Sequence, residues 1–191
     1  MKPQIFSSFN IIPLVLFLFL PANNQVFAQW DTYPTYDEYV DMMSKFEADY
    51  PNLCKIVEFG RSVDGRKLLA AKVTDNVNVE EKEPQFLYFS TIHGDETLGY
   101  VLMLRLIDYL LSNYGNDILA TRLVDSIEIW INPLANPDGT YQNDNSTVFN
   151  ARRFNANGKD LCRNYPVLPG TSTTQPPEEE TELILLKIPP I

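Results

Sequence analysis

The stretch Ser90-Thr91-Ile92-His93-Gly94-Asp95-Glu96-Thr97 lies between a short apolar run and a long segment with helical periodicity. The run at residues 86–89 is typical of a buried strand, and residues 98–111 predict a helix. In open α/β sheets, ligands bind where strands end and helices begin. His93 and Glu96 are three residues apart, so one helical turn would direct both side chains the same way. A histidine nitrogen and a glutamate oxygen so placed can occupy two positions of a tetrahedral Zn²⁺.

The His-x-x-Glu spacing is weak on its own because it also arises by chance. The alternative interpretation is a histidine at the end of a strand and a glutamate in the first turn of a helix, where the helix dipole favours a carboxylate. His93 is the only histidine among the 191 residues, so any imidazole chemistry must use it. Motifs further along the chain decide between the two interpretations.

The first 28 residues have the organisation of a secretory signal peptide. The charged Met1-Lys2 precedes an apolar run at residues 11–20, and Val26-Phe27-Ala28 ends in a small residue suited to a cleavage site. The apolar run is too short to span a bilayer, which argues against the alternative of a retained membrane anchor. Cleavage after Ala28 leaves residues 29–191, which fit one domain. We therefore expect a secreted or periplasmic protein.

Charge and cysteine content restrict the class of protein further. Lys plus Arg is 15 and Asp plus Glu is 25, giving a net charge of −10. A strongly acidic chain lacks the basic face that nucleic-acid binding requires. The two cysteines, Cys54 and Cys162, are too few for a disulfide framework. Because Cys162 lies inside a polar motif, we predict two unpaired thiols.

The N-terminal half predicts a helix followed by a hairpin. Thr35-Tyr36-Asp37-Glu38 forms a capping box, and Pro51 ends the helix. Asp64-Gly65 predicts a tight turn between strands at residues 55–61 and 67–74. The predicted core stripe of the helix contains Tyr36, Val40, Met43, Phe46 and Tyr50.

A strand–helix–strand unit follows the hairpin. Its strands are predicted at residues 85–91 and 126–132, with a helix to about Asn113 and a short helix at residues 117–124. Such βαβ units are right-handed and lie in sheets covered on both faces. The predicted fold is therefore α/β, a mixed sheet with the early hairpin at one edge.

Four motifs occur in an order typical of one family. They are Phe59-Gly60-Arg61-Ser62-Val63-Asp64-Gly65-Arg66, His93-Gly94-Asp95-Glu96, Asn136-Pro137-Asp138-Gly139, and Asn155-Ala156-Asn157-Gly158 with Asp160-Leu161-Cys162-Arg163-Asn164-Tyr165-Pro166. Together they resemble the zinc metallocarboxypeptidases related to carboxypeptidases A, B and D, over about Tyr33 to Tyr165. Each motif alone is weak, whereas four in register are specific.

The resemblance implies a mixed, twisted sheet with helices on both faces, and hydrolytic removal of the C-terminal residue of a peptide or protein. It implies that His93 and Glu96 are the first two ligands of Zn²⁺. Arg153 matches the catalytic arginine that polarises the scissile carbonyl and stabilises the oxyanion. Arg163 matches the arginine that binds the terminal carboxylate of the substrate.

These implied roles agree with the chemistry of the residue types. Catalytic zinc takes three protein ligands plus an open water position. A planar guanidinium can bind a carboxylate through two hydrogen bonds, and a second guanidinium beside the metal stabilises a developing oxyanion. Without the four motifs in this order, the arginines at 152, 153 and 163 would be interpreted as part of a solvated basic loop. We keep that interpretation for Arg152 alone.

Two substitutions depart from the family pattern near the substrate site. Cys162 stands where the family usually has an asparagine beside the clamping arginine, and a thiol is a weaker hydrogen-bond donor than an amide. We expect Cys162 to line the carboxylate site but to weaken it. Asp95 stands where the digestive members have an arginine, which removes a further positive charge.

A third departure concerns the missing part of the site. The family's third zinc ligand is a later histidine and its general base is a later glutamate, and neither is matched in this sequence. We therefore expect residues 29–191 to be a C-terminally truncated, partial catalytic domain with little or no peptidase activity alone. Missing strands would also leave the edge of the sheet exposed.

Two other functions compete with a zinc carboxypeptidase. One is a non-catalytic module that binds peptide C-termini through Arg153 and Arg163. The other is a deacylase or amidase that acts on a non-peptide amide, against which the complete arginine motif at residues 160–164 argues.

Overall fold

A four-stranded mixed sheet forms the centre of the fold. The computed structural model describes residues 32–165, 178, 180 and 181. The elements are α1 (Tyr36–Asp49), β1 (Cys54–Arg61), β2 (Lys67–Val73), β3 (Gln85–Phe89), α2 (Thr97–Asn113), α3 (Ile118–Val124), β4 (Glu128–Asn132), α4 (Pro137–Thr140) and a 3₁₀ turn (Leu161–Arg163). The predicted signal peptide and most of residues 166–191 lie outside the described part of the chain.

The strand order is β1-β2-β4-β3, and it confirms the predicted topology. β1 and β2 form the antiparallel hairpin at one edge, and β2 also pairs antiparallel with β4. β3 pairs parallel with β4, with α2 as the crossover helix. The hairpin turn and the segments after β3 and β4 therefore meet at one end of the sheet.

Helix α1 begins with the predicted capping box. Thr35 Oγ1 accepts from the Glu38 backbone N–H, and the Glu38 carboxylate accepts from the Thr35 N–H at 2.8 Å. The buried face is shifted from the predicted stripe, because Tyr39 and Met42 are buried whereas Val40 and Tyr50 are only half-buried. Its members are Tyr36, Tyr39, Met42, Met43 and Phe46.

Helices α1 and α2 contact each other and the sheet, and so lie on one face of it. The rings of Tyr39 and Tyr100 meet edge to face at 5.4 Å between centroids. On the opposite face, Leu68 and Trp130 belong to a buried cluster on which Tyr165 packs. Within the described part of the chain, no helix combines the length and hydrophobicity that a membrane span requires.

Strand β3 is more exposed to solvent than the sequence predicted. The strand itself is confirmed, but Phe86, Tyr88 and Phe89 are 48%, 42% and 43% exposed. The reason is position, since β3 is the outer strand of the described sheet and pairs there with β4 only. Within the described part of the chain, the second edge of β3 has no strand partner, and an unpaired edge of this kind favours intermolecular pairing.

We expect this edge to drive concentration-dependent association, because exposed aromatic strands template strand pairing. Tyr88→Lys should reduce association, measured by light scattering over a concentration series. Val79→Lys is the matched control, since Val79 is 49% exposed but lies in a loop. Equal association of wild type and the Tyr88 variant would contradict this interpretation of β3.

Candidate metal and carboxylate site

A strained turn after β3 brings His93 and Glu96 together. Thr91 has φ of 57°, which is rare for a β-branched residue, and its hydroxyl donates to the Glu96 carbonyl at 3.1 Å. The Glu96 N–H donates to the His93 carbonyl at 3.0 Å. The pairing predicted from a helical turn is thus made before α2 begins at Thr97. Strain of this kind is typical of functional sites.

The His93 and Glu96 side chains converge on one point. His93 Nδ1 lies 2.8 Å from Glu96 Oε1, while Nε2 lies 3.2 Å from Asp160 Oδ1. When Nε2–H donates to Asp160, the lone pair of Nδ1 faces the glutamate carboxylate. Two convergent lone pairs on an imidazole and a carboxylate are suited to a divalent cation. The donor set therefore fits Zn²⁺, although it supplies two ligands only.

Asp160 connects the histidine to both predicted arginines. Its Oδ2 accepts from Arg153 Nε at 3.1 Å and Nη2 at 3.0 Å, and also from Arg163 Nη1. Burial would raise the pKa of Asp160, but hydrogen bonding from Arg153 and the charges of both arginines lower it below the usual value. The carboxylate thus stays ionised. Sequence reasoning did not assign it a role, although it begins the quoted Asp160–Arg163 motif.

Arg153 faces the convergent pair more directly than Arg163 does. Arg153 Nη1 lies 3.3 Å from His93 Nδ1, so the guanidinium group is beside the candidate metal position. The Arg163 side chain is 77% exposed and contacts Asp160 through Nη1. Cys162 is also exposed. The structure therefore brings together His93, Glu96 and Arg153, whereas Arg163 and Cys162 are both exposed and only Arg163 has a described contact with Asp160.

The Asn136–Gly139 motif is a buried structural element rather than a surface turn. It forms the short helix α4, whose Asp138 is fully buried. The Asp138 carboxylate accepts from Ser62 Oγ at 2.7 Å and Arg66 Nη1 at 2.7 Å. Sequence analysis did not anticipate this link between the hairpin turn and α4.

Helix α4 also contacts the turn that carries His93. A Cβ added to Gly94 would lie 2.3 Å from the Gly139 carbonyl carbon and 2.6 Å from the Arg152 carbonyl oxygen. Any side chain at position 94 would therefore separate the two backbones. This contact places residue 153 beside His93.

Among the described residues, only one group of three acidic, histidine or cysteine side chains has convergent ligand atoms. It consists of Asp75, Glu81 and Glu83, on the loop after β2. His93 and Glu96 do not acquire a third such ligand in this part of the chain. Among the described residues, the candidate zinc ligands at this site are therefore His93 and Glu96.

A family model described as "Zinc carboxypeptidase" matches residues 39–182. This range covers most of the chain, including all four motifs. The chain belongs to the zinc carboxypeptidase family. The resemblance drawn from the sequence is therefore confirmed, as is the α/β carboxypeptidase fold.

Zinc carboxypeptidase relatives match most of this chain but only part of their own length. Carboxypeptidase D of Mus musculus is 38% identical over 138 residues, covering 70% of this chain and 10% of the relative. The carboxypeptidase N catalytic chain of Homo sapiens is 35% identical over 139 residues, covering 70% and 30%. "Zinc carboxypeptidase" of Saccharothrix mutabilis subsp. capreolus is 34% identical over 139 residues, covering 70% and 32%.

Solved structures support the same fold. Thrombin activatable fibrinolysis inhibitor superposes with a TM-score of 0.70 at 20% identity, covering 82% of this chain and 43% of that one. Carboxypeptidase A of Helicoverpa armigera gives a TM-score of 0.68 at 23% identity, covering 82% and 42%. In both comparisons the matched part is less than half of the solved chain.

The two thiols of this zinc carboxypeptidase chain have different environments. Cys54 is buried and Cys162 exposed, and neither forms a disulfide, as predicted. Burial raises the pKa of the Cys54 thiol to about 12, with a further contribution from the Glu47 charge. Cys54 is therefore protonated at neutral pH, and a protonated thiol is a poor nucleophile.

We expect one equivalent of fast thiol modification by an alkylating reagent at pH 8, located at Cys162 by peptide mass spectrometry. Cys54 should react only after denaturation, because its thiol is both buried and protonated. Cys162→Ser should abolish the fast reaction, and Cys54→Ser should leave it unchanged. Modification of Cys54 in the folded chain would contradict the described packing of β1.

Proposed function

We propose that this chain is the zinc- and carboxylate-binding part of a secreted metallocarboxypeptidase that hydrolyses the C-terminal peptide bond of peptides or proteins. In this proposal His93 and Glu96 bind Zn²⁺, Arg153 is catalytic, and Arg163 binds the substrate carboxylate. The observation that supports it most is the convergence of His93 Nδ1 and Glu96 Oε1 at 2.8 Å, with Arg153 Nη1 at 3.3 Å from the same nitrogen.

Each residue has a distinct task in this proposal. Asp160 accepts from His93 Nε2 and so holds Nδ1 as the metal-binding nitrogen. Arg153 uses Nε and Nη2 for Asp160, and its Nη1 lies beside His93 Nδ1, where it would stabilise an oxyanion that forms next to the metal. Zinc, when bound, supplies Lewis acidity and lowers the pKa of a water molecule.

Arg163 is suited to the carboxylate end of the substrate. Its side chain is exposed and is held at one nitrogen by Asp160, so the remaining donors can turn towards an entering carboxylate. Cys162 beside it offers a thiol, a weaker donor than an amide. We propose that the terminal carboxylate binds here, with modest affinity.

The chain alone is proposed to have little or no peptidase activity. Catalytic zinc sites use three protein ligands, whereas the sequence has one histidine, and its partner here is a single glutamate. A weakly held metal and the lack of an assigned general base would each lower the rate, the latter by about 10²–10⁴-fold.

A non-catalytic module for peptide C-termini is the second candidate. It is favoured by the presence of both carboxylate-binding arginines beside a two-ligand metal pair. The two candidates differ in whether zinc is needed for binding a peptide.

Secretion is proposed from residues 1–28, which lie outside the described residues. Expression of the whole chain with its own leader should yield an exported product that begins at Gln29, measured by N-terminal sequencing. An unprocessed chain retained in the cell would contradict this part of the proposal.

We expect calorimetric titration to show one Zn²⁺ per chain. His93→Gln and Glu96→Gln should each weaken zinc affinity by at least about tenfold, because each removes one of two ligands. Glu83→Gln is the matched control, since it alters the other acidic group, on the loop after β2. Zinc titration of the His93 variant indistinguishable from wild type would contradict the assigned ligands.

A blocked dipeptide with a free C-terminal carboxylate should bind roughly 10–100-fold more tightly than its C-terminal amide, because charged hydrogen bonds contribute about 1.5–3 kcal/mol. Arg153→Gln and Arg163→Gln should remove this preference. Arg122→Gln, an exposed change on α3, should not.

The same titration separates the two candidate functions. Tighter binding with zinc present supports the metallocarboxypeptidase, and binding that is indifferent to zinc supports the module. Hydrolysis of the dipeptide that stops on addition of a chelator would contradict the proposed inactivity of the chain.

A further inference from the structure

The side chain of Asn136 joins two segments of the candidate site. Asn136 is fully buried at the start of α4. Its Nδ2 lies 3.2 Å from the Ile92 carbonyl oxygen and 3.2 Å from the Arg153 carbonyl oxygen. Its Oδ1 accepts from the Gly139 N–H at 2.9 Å. One amide thus binds the turn before His93 and the segment that carries the proposed catalytic arginine.

The orientation of this amide is fixed by its neighbours. An N–H group faces one end of it, and two carbonyl oxygens face the other end. Oxygen must therefore lie at the first end and nitrogen, with its two hydrogens, at the second. Asparagine is the side chain of this size that offers one acceptor and two donors in this arrangement. Aspartate lacks the donors, and an aliphatic side chain lacks both.

Further hydrogen bonds around this amide join the same segments of the chain. The Asn136 N–H donates to the Thr91 carbonyl at 3.1 Å, and Thr140 Oγ1 donates to the Gly94 carbonyl at 2.9 Å. The Gly94 N–H itself contacts the Arg153 carbonyl at 3.3 Å. Gly94 packs against α4 at the same place, and the Asn136 amide contacts both the Ile92 and the Arg153 carbonyl groups.

We propose that Asn136 is a positioning residue that sets the separation between the His93–Glu96 pair and Arg153. It contacts neither metal nor substrate and acts through the main chain on either side. Its loss leaves the Ile92 carbonyl without this donor and the Arg153 carbonyl with the Gly94 N–H alone. Carbonyl groups that lose a donor move towards water or other partners. The distance between Arg153 and His93 would then no longer be fixed. This inference rests on the proposed function for the roles of those two residues.

The test uses Asn136→Asp, which keeps the acceptor for Gly139 and removes both donors. His93 is the only histidine, so ¹⁵N spectra of the imidazole report on the site without ambiguity and without zinc. We expect the imidazole shifts of the variant at pH 8 to move towards those of a solvent-exposed histidine. Zinc affinity should fall about tenfold, in the range seen when groups that orient metal ligands are altered.

Asn132→Asp is the matched control. Asn132 is also fully buried, and its Nδ2 donates to a single carbonyl, that of Leu69 at 2.8 Å on β2. This variant should lose stability but keep the wild-type imidazole shifts and zinc affinity of the folded fraction. Loss of stability alone, in both variants equally, would show a merely structural role for Asn136 and overturn the proposal.

Thr140→Val decides the case in which Asn136→Asp does not fold. It removes the hydroxyl that donates to the Gly94 carbonyl and preserves side-chain volume. We expect a smaller change of the imidazole shifts in the same direction. Wild-type shifts in this variant, or unfolding of both variants, would overturn a specific positioning role. Failure of wild type to bind zinc would contradict the proposed function, while the imidazole spectra would still test the positioning of His93.

Discussion

The candidate site depends on a close contact between backbone segments that leaves no space for a side chain at position 94. Gly94 meets the Gly139 and Arg152 carbonyl groups so closely that an added Cβ would overlap them. This approach joins the turn after β3 to helix α4 and to the segment leading to Arg153. The parallel pairing of β3 with β4 makes the approach possible, because both strands end at the same side of the sheet. The site therefore depends both on the parallel pairing of β3 with β4 and on glycine at position 94.

Charge compensation then organises the groups that this contact brings together. Asp160 binds one histidine nitrogen and two guanidinium groups, so a single carboxylate fixes the imidazole and the nearer arginine. The imidazole nitrogen that remains faces Glu96 and Arg153 Nη1. A divalent cation and a developing negative charge are the partners that this arrangement would stabilise. Membership of the zinc carboxypeptidase family is consistent with this chemistry. The chain spans about a third or less of the length of the curated relatives that it matches.

Local patterns in the sequence predicted most of the fold. The capping box at Thr35, the Asp64-Gly65 hairpin turn and the strand–helix–strand unit depend on neighbouring residues, and all are confirmed. Ordered motifs also indicated His93, Glu96 and Arg153 as one site. The roles of Asp160 and Asn136 could not be predicted in this way, because their partners are 67 and 44 residues away in the sequence. The exposure of β3 was missed for a related reason, since hydrophobic periodicity does not distinguish an edge strand from a central one.

The most direct test of the central claim is X-ray absorption at the zinc edge, on the chain loaded with one equivalent of Zn²⁺. The convergence of His93 and Glu96 predicts a first shell with one imidazole nitrogen and at least one carboxylate oxygen. The imidazole contribution should vanish in His93→Gln and persist in Glu83→Gln. An identical zinc environment in wild type and the His93 variant would contradict the account, because the metal would then be bound elsewhere on the chain.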